Sequence, residues 1–254
     1  MLCAGLRRRP LERRPEERRK RIRMPTRIQT FYSTPCKRGD DGREYELSAT
    51  SLRQIEAQVL YQLVAKSGAV KTLEIGLALG ASAVAIADAL SCQPKEHCHV
   101  VLDPYQHHFG NVGLLELERL GLRQRVEFHQ MSSEDFLHDA SKNGARFDLI
   151  FNDGSHMFGS KVTSAFLGDR CLRVGGIFAF HDAFKRSTTA CVRYLVGECG
   201  YKPVSLQPDS IFKRWARSVK YIAIHGAWYA IKIIPTTCCS LVALQKTGEA
   251  PKDA

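Results

Sequence analysis

The chain predicts an α/β protein built on an open, doubly wound sheet of mostly parallel strands. Three observations carry that reading. Short aliphatic runs at residues 72–75, 99–102, 126–129, 147–151 and 175–180 alternate with segments of helical periodicity, and alternating βα units force parallel strands covered on both faces. The intervening segments repeat apolar residues at helix spacing: Leu52, Ile55, Val59, Leu60 and Leu63 on one face, Leu114, Leu117 and Leu120 on a second, and Phe166, Cys191 and Tyr194 in later crossovers. A length of 254 residues with 44% hydrophobic side chains supports one sizeable core. A last aliphatic run at residues 240–245 closes the sheet.

The strand ends carry the chemistry. The first strand runs through Glu74 into Gly76 and Gly80 and then into a helix that opens at Ser82, giving the spacing ExGxxxG. A strand, a glycine turn and a helix N-terminus are how open α/β sheets hold a nucleoside. A pyrophosphate-binding turn reads GxGxxG, whereas an acid two residues before the first glycine suits a ligand bearing a sulfonium and an ammonium, which points to S-adenosylmethionine (SAM). The second strand ends in Asp103, placed to accept from both hydroxyls of a ribose. The third leads into Ser132 and Ser133, which either cap the next helix or meet an adenine amine.

The fourth strand ends in Asn152-Asp-Gly-Ser-His156 and the fifth in His181-Asp182. Two carboxylates and two histidines therefore meet at adjacent strand ends. A histidine that is neutral near pH 7 takes a proton from a hydroxyl, and carboxylate oxygens suit a hard cation. His156 is the candidate base, and Asp153, His181 and Asp182 are candidate ligands for a divalent ion. Asp148 reads as a sheet-edge acid without chemistry.

Taken in order, LEIGLALGAS, VVLDPYQ, FDLIFNDGSH and CLRVGGIFAFHD resemble class I SAM-dependent methyltransferases over roughly residues 52–246. More narrowly they are similar to the methyltransferase-24 family, whose members include sugar and natural-product O-methyltransferases. The resemblance implies a Rossmann-like seven-stranded sheet with an antiparallel last strand, and transfer of a methyl group from SAM to a hydroxyl of a sugar, phenol or natural product. It implies His156 as general base and Asp153 as the residue that binds a metal or orients the acceptor. Cofactor contacts are expected at Glu74, Gly76, Gly80, Ser82, Asp103, Ser132 and Ser133. Relatives that use a divalent ion carry an acidic pair where this chain has His181-Asp182, so Mn²⁺ or no ion stands beside Mg²⁺ as the expectation. An NAD(P)-dependent reductase would share Asp103, but GxGxxG and YxxxK are both absent. A nucleic-acid-binding or nucleic-acid-methylating protein would use the basic N-terminus, yet Asn152-Asp-Gly-Ser departs from the Asn/Asp-Pro-Pro-aromatic sites of amine methylation.

The expected organisation is a basic, disordered tail over 1–45, the methyltransferase domain over 46–247 with a helical insertion at 210–235, and a short tail over 248–254. Of the formal net charge of +11, residues 1–28 hold +8, with eleven Lys or Arg and three Glu. The remaining chain is nearly neutral, and nucleic acid is not an expected partner. Glu12, Glu16 and Glu17 disfavour a mitochondrial presequence, and no apolar h-region for secretion is evident. Nine cysteines without a CxxC spacing read as reduced thiols and a cytoplasmic location. No apolar run reaches the ~20 residues of a membrane span. The insertion, read as a helix, sets Ile211, Trp215, Val219 and Ile222 on one side and Lys213, Arg217 and Lys220 on another. It is expected to cover the substrate or pair with a second subunit in preference to lying on a membrane.

Overall fold

The computed structural model describes residues 25–94, 96–206 and 211–248. The chain enters through α1 (Thr26–Phe31), a hairpin of β1 (Cys36–Arg38) and β2 (Glu44–Glu46), and a single turn α2 (Leu47–Thr50). The βα units follow: α3 (Gln54–Ser67), β3 (Lys71–Ile75), α4 (Ala81–Ser91), β4 (Cys98–Leu102), α5 (Val112–Arg119), β5 (Val126–His129) and α6 (Ser133–Lys142). The second half runs through β6 (Phe147–Asn152), α7 (Phe158–Cys171), β7 (Leu172–Phe180), α8 (Arg186–Gly197), β8 (Tyr201–Val204), α9 (Ile211–Lys232) and β9 (Val242–Lys246).

Seven strands form one sheet in the order β5-β4-β3-β6-β7-β9-β8. Strands β3 to β7 pair in parallel, and β9 is inserted antiparallel to both β7 and β8. This is the Rossmann-like, seven-stranded sheet with an antiparallel last strand that the sequence predicts.

Strand alternation divides the core. Val101, Leu149, Phe151, Ile177 and Ala179 face one helical layer with Val59, Leu60, Val84 and Ile86. Their neighbours Val100, Leu73, Ile150, Phe178 and Phe180 face the other, with Leu137, Ala165 and Val192. Within α3 the buried face differs from the one expected. Ile55 is exposed, whereas Glu56 is 1% exposed and points inward.

The tail expected over 1–45 also needs correction. Ile28 and Phe31 of α1 are buried, Arg27 pairs with Asp88 of α4 at 2.9 Å, and the β1–β2 hairpin adds its own ladder. The folded unit therefore reaches back to residue 25, because two apolar side chains in a short helix suffice to dock it on α4. Arg7, Arg18 and the rest of the expected basic tail over 1–24 lie outside the described residues, as do 249–254. Among the described residues no helix is long and apolar enough to cross a membrane, and the eight described cysteines are free thiols.

The carboxyl ends of the parallel strands stay joined beyond the sheet itself. Gly76 N–H donates to Leu102 O at 2.8 Å, Asp153 N–H to Ile75 O at 2.9 Å, and His181 N–H to Asn152 O at 3.3 Å. At the other end of β3, Asp148 accepts from the amides of Val70 and Lys71 at 2.8 Å each, which is the structural duty expected of it. Gly76 has φ +91°, and a Cβ there would lie 2.7 Å from the Asp153 carbonyl oxygen. Both the left-handed backbone and the absence of a side chain are required. We expect Gly76→Ala to destabilise the protein by about 2–6 kcal/mol, the sum of backbone strain and overpacking; urea unfolding with an unchanged midpoint would refute the constraint.

Candidate active site

A cavity of about 810 Å³ opens at the carboxyl ends of β3, β4, β6 and β7, where an open α/β sheet places its ligands. One wall is the glycine loop, residues 76–82, with Asp103 and Ser133. The other carries Asp153, His156, His181 and Asp182. Ser51 adds a hydroxyl at the rim whose Oγ has no protein hydrogen-bond partner, leaving a polar atom for a ligand to satisfy.

The residues expected to hold a cofactor divide into two groups. Gly76, Gly80, Ser82, Asp103, Ser132 and Ser133 all line the cavity. Asp103 is tied into its wall, accepting from the amides of Leu77 and Ala78 on one oxygen at 3.0 and 2.9 Å and from Tyr105 on the other at 2.8 Å. Ser132 caps α6 by accepting from the Asp135 amide at 3.1 Å. Glu74 is not brought into the cavity. Strand alternation turns it into the layer beneath, fully buried, where it bonds the Ser82 hydroxyl and His99 Nε2, while His99 Nδ1 meets Thr72 at 2.9 Å. Burial pushes its carboxyl above the ordinary value. The acid thus braces the glycine loop from below and does not face a ligand's cation.

Glycine spacing is equally a matter of packing. Gly80, at φ +88°, begins α4 with room for no Cβ, which would fall 2.9 Å from Gly113 Cα. The loop is shaped by backbone meeting backbone.

The opposite wall is an alternation of acids and bases. His181 Nδ1 lies 3.3 Å from Asp153 and its Nε2 3.6 Å from Glu56, an ion-pair distance beyond hydrogen-bond range. Asp182 sits 2.9 Å from Lys185 and 3.4 Å from His156 Nε2. Buried Lys161 donates to Asn152 O at 3.2 Å just behind Asp153. Burial disfavours the His181 cation, but Asp153 and Glu56 outweigh it and raise the ring to about 10. Burial likewise opposes the Glu56 carboxylate, yet His181, Arg53 and the Ser240 amide hold it down to about 2. His156 moves the other way. Burial and the Lys185 cation lower it, with Asp182 only partly opposing, so this half-exposed ring is neutral at pH 7.

Asp153, His181 and Asp182 do converge, with ligand atoms within 4.8 Å of one another. Their donor chemistry does not fit a hard divalent ion. His181 Nδ1 is turned to Asp153 and Asp182, one imidazole with two carboxylates supplies fewer hard oxygens than such an ion takes, and Asp182 already neutralises Lys185. Asp153, Asp182 and Glu56 are matched by His181, Lys185 and Arg53 without an added cation.

Residues 73–183 match a family model described as a methyltransferase domain. The chain is 29% identical over 141 residues to tricin synthase 1 of Oryza sativa subsp. japonica, a match covering 53% of this chain and 54% of the rice protein. The chain spans about half the length of the curated relatives it matches. Among solved structures it superposes on the O-methyltransferase TomG from Streptomyces achromogenes, determined with SAM, at TM-score 0.57 and 18% identity over 78% of this chain and 82% of that one. A Podospora anserina methyltransferase bound to SAH gives TM-score 0.60 at 13% identity over 88% and 89%. These likenesses show that the chain shares the fold of these methyltransferases.

Glu56, Lys161 and Lys185 were not singled out from sequence. They come from helices α3 and α7 and from the turn before α8, outside any strand-end motif. The one available signal was Glu56 itself, an acid interrupting an apolar helix face.

The His181–Glu56 pair has a pH signature. The raised His181 value gives stability fully present below its ordinary 6.5 and lost as pH climbs toward about 10; the lowered Glu56 value gives stability present above 4.5 and lost toward about 2. His181→Gln should therefore narrow its Tm deficit to wild type steadily between pH 6.5 and 10. A deficit that stays level over that range would mean the ring is neutral in the folded protein.

Proposed function

We propose that this chain transfers a methyl group from SAM to a hydroxyl of a small molecule, with His156 taking the hydroxyl proton. The observation that carries the reading is a neutral, cavity-lining histidine facing a wall of bound charges, opposite a glycine loop and Asp103 in a methyltransferase fold. Supporting it, the relatives of similar fold include proteins described as O-methyltransferases. The proposed domain comprises residues 25–248, reaching further toward the N-terminus than a start at 46.

The cavity fits SAM. Asp103 would take the ribose hydroxyls, Ser133 and Ser51 offer hydroxyls to the nucleoside and amino-acid ends, and the small residues of 76–82 let the ligand lie against backbone. When bound, SAM supplies a sulfonium methyl that passes to the acceptor oxygen as the C–S bond breaks. His156 Nε2 lies 3.4 Å from Asp182, an ion-pair contact; with that nitrogen turned to the carboxylate, Nδ1 is the proton acceptor. Asp182 in turn is held by Lys185. Asp153, its charge matched by His181 and Lys161, accepts a hydrogen bond from a second polar group of the acceptor and so orients it. Positioning of this kind supplies much of the rate. His181 acts through Asp153 and is a positioning residue.

Calorimetric titration of SAM into the full chain tests the reading first; a folded sample that does not take up SAM overturns it. His156→Ala should keep SAM affinity and lose about 10²–10⁴ in kcat, and wild-type turnover should rise to a plateau through a pKa below 6.5, the proton acceptor being charged at lower pH. Asp103→Ala should weaken SAM binding about tenfold or more, as loss of a charged hydrogen-bonding group does; unaltered affinity removes Asp103 from the ribose. Because the charges are already matched, EDTA should leave turnover within about twofold. Stimulation of about tenfold by Mg²⁺ or Mn²⁺ would restore the metal site expected from sequence.

A further inference from the structure

Helix α9 is the largest element that the proposed reaction does not use. Its inner side is fixed to the domain: Tyr229 OH donates to Ala183 O at 2.6 Å, Tyr221 stacks on Phe184 at 4.5 Å, and His225 Nδ1 meets the Thr189 hydroxyl at 3.2 Å. Its outer side leaves Val219, Ile222, Ile224, Trp228 and Ile231 exposed, the last at 66%. Val219 and Ile222, two of the four residues that helical spacing sets on the apolar face, are turned outward; the side chains of Ile211, Trp215, Lys213, Arg217 and Lys220 lie outside the described residues. Residues 211–232 also contain Lys213, Arg214, Arg217, Lys220 and Lys232 and no acid. Gly226, at φ +74°, bends the helix between its two halves.

Three occupants are conceivable for such a surface. The lid role is not supported, since among the described residues none of α9 lines the cavity. Pairing of this helix with its own copy would set five cations against five, with no carboxylate on either side to compensate. Exposed isoleucines and an exposed Trp in a helix whose sequence carries five basic residues and no acid match instead a bilayer surface, where aliphatic groups enter the headgroup boundary and cations meet anionic lipid.

We propose that α9 docks the protein peripherally on anionic phospholipid membranes through its outer side, around Ile224, Trp228 and Ile231. The grip of the inner side on Ala183 and Phe184, which directly follow Asp182, then holds the cavity at a fixed orientation to that surface.

The test is co-sedimentation of the full chain with vesicles of phosphatidylcholine alone or with about 30% phosphatidylglycerol, using wild type and a Trp228→Ser, Ile231→Glu double variant whose fold is checked by circular dichroism. Wild type should bind the anionic vesicles, release in about 0.5 M salt, and leave the neutral ones free. The variant should lose about tenfold in partitioning, for removal of two apolar groups and addition of a negative charge. Three outcomes overturn the proposal: no binding by wild type; equal binding by the variant, which would assign attachment to the Arg-rich residues 7–21; or a wild-type dimer on light scattering that the variant dissolves, which would make the patch a self-interface.

Discussion

The site depends on one close approach, that of Gly76 to the carbonyl of Asp153. Two loops that leave neighbouring strands β3 and β6 would normally diverge. Here the amide of Asp153 reaches back to Ile75, and a glycine at φ +91° removes the side chain that would hold the loops apart. The glycine loop and the loop bearing Asp153 and His156 are therefore joined as one unit. This explains the glycine spacing without any phosphate: Gly76 meets backbone from β6 and Gly80 meets backbone from α5.

Charge is handled by interleaving. Clustering Asp153, Asp182 and Glu56 around His181 would be unstable without partners, because buried ions that lack compensation are strongly unfavourable. Each acid has a cation within reach, and His181 is held between Asp153 and Glu56. The same arrangement that holds His181 as a cation leaves His156 the exposed and neutral ring of the pair. Two histidines, one and four residues beyond their strands, thus have opposite protonation: Asp153 and Glu56 hold His181 as a cation, whereas burial and Lys185 keep His156 neutral.

Strand ends were legible in the sequence because parallel βα topology forces every carboxyl end to one edge; Asp103, Asp153, His156, His181 and Asp182 share a cavity for that reason. What was not legible was direction. Glu74 lies one residue from the inner face of the loop, yet the period of two along β3 sets it with Thr72 and His99 in the layer below. Helix-borne partners were also hidden, since Glu56 and Lys161 reach the site only through packing of α3 and α7, and no local pattern records which strand end a helix covers. The early boundary at residue 46 missed α1 because its apolar content is two residues, Ile28 and Phe31, in an otherwise polar stretch.

Asp182 is the point where these constraints meet. It occupies the left-handed region at φ +56°, a conformation that costs a non-glycine residue about 1–3 kcal/mol. The surrounding structure must over-determine it. Its side chain is held by Lys185, and the next residue donates Ala183 N–H to Ser240 O at 2.9 Å, in the turn entering β9. The carbonyl of Ala183 accepts from Tyr229, and Phe184 lies against Tyr221. Both aromatic partners belong to α9, the insertion between β8 and β9. The insertion thus grips the two residues that follow the strained Asp182, and it does so from the segment between β8 and β9, the strand that pairs with β7.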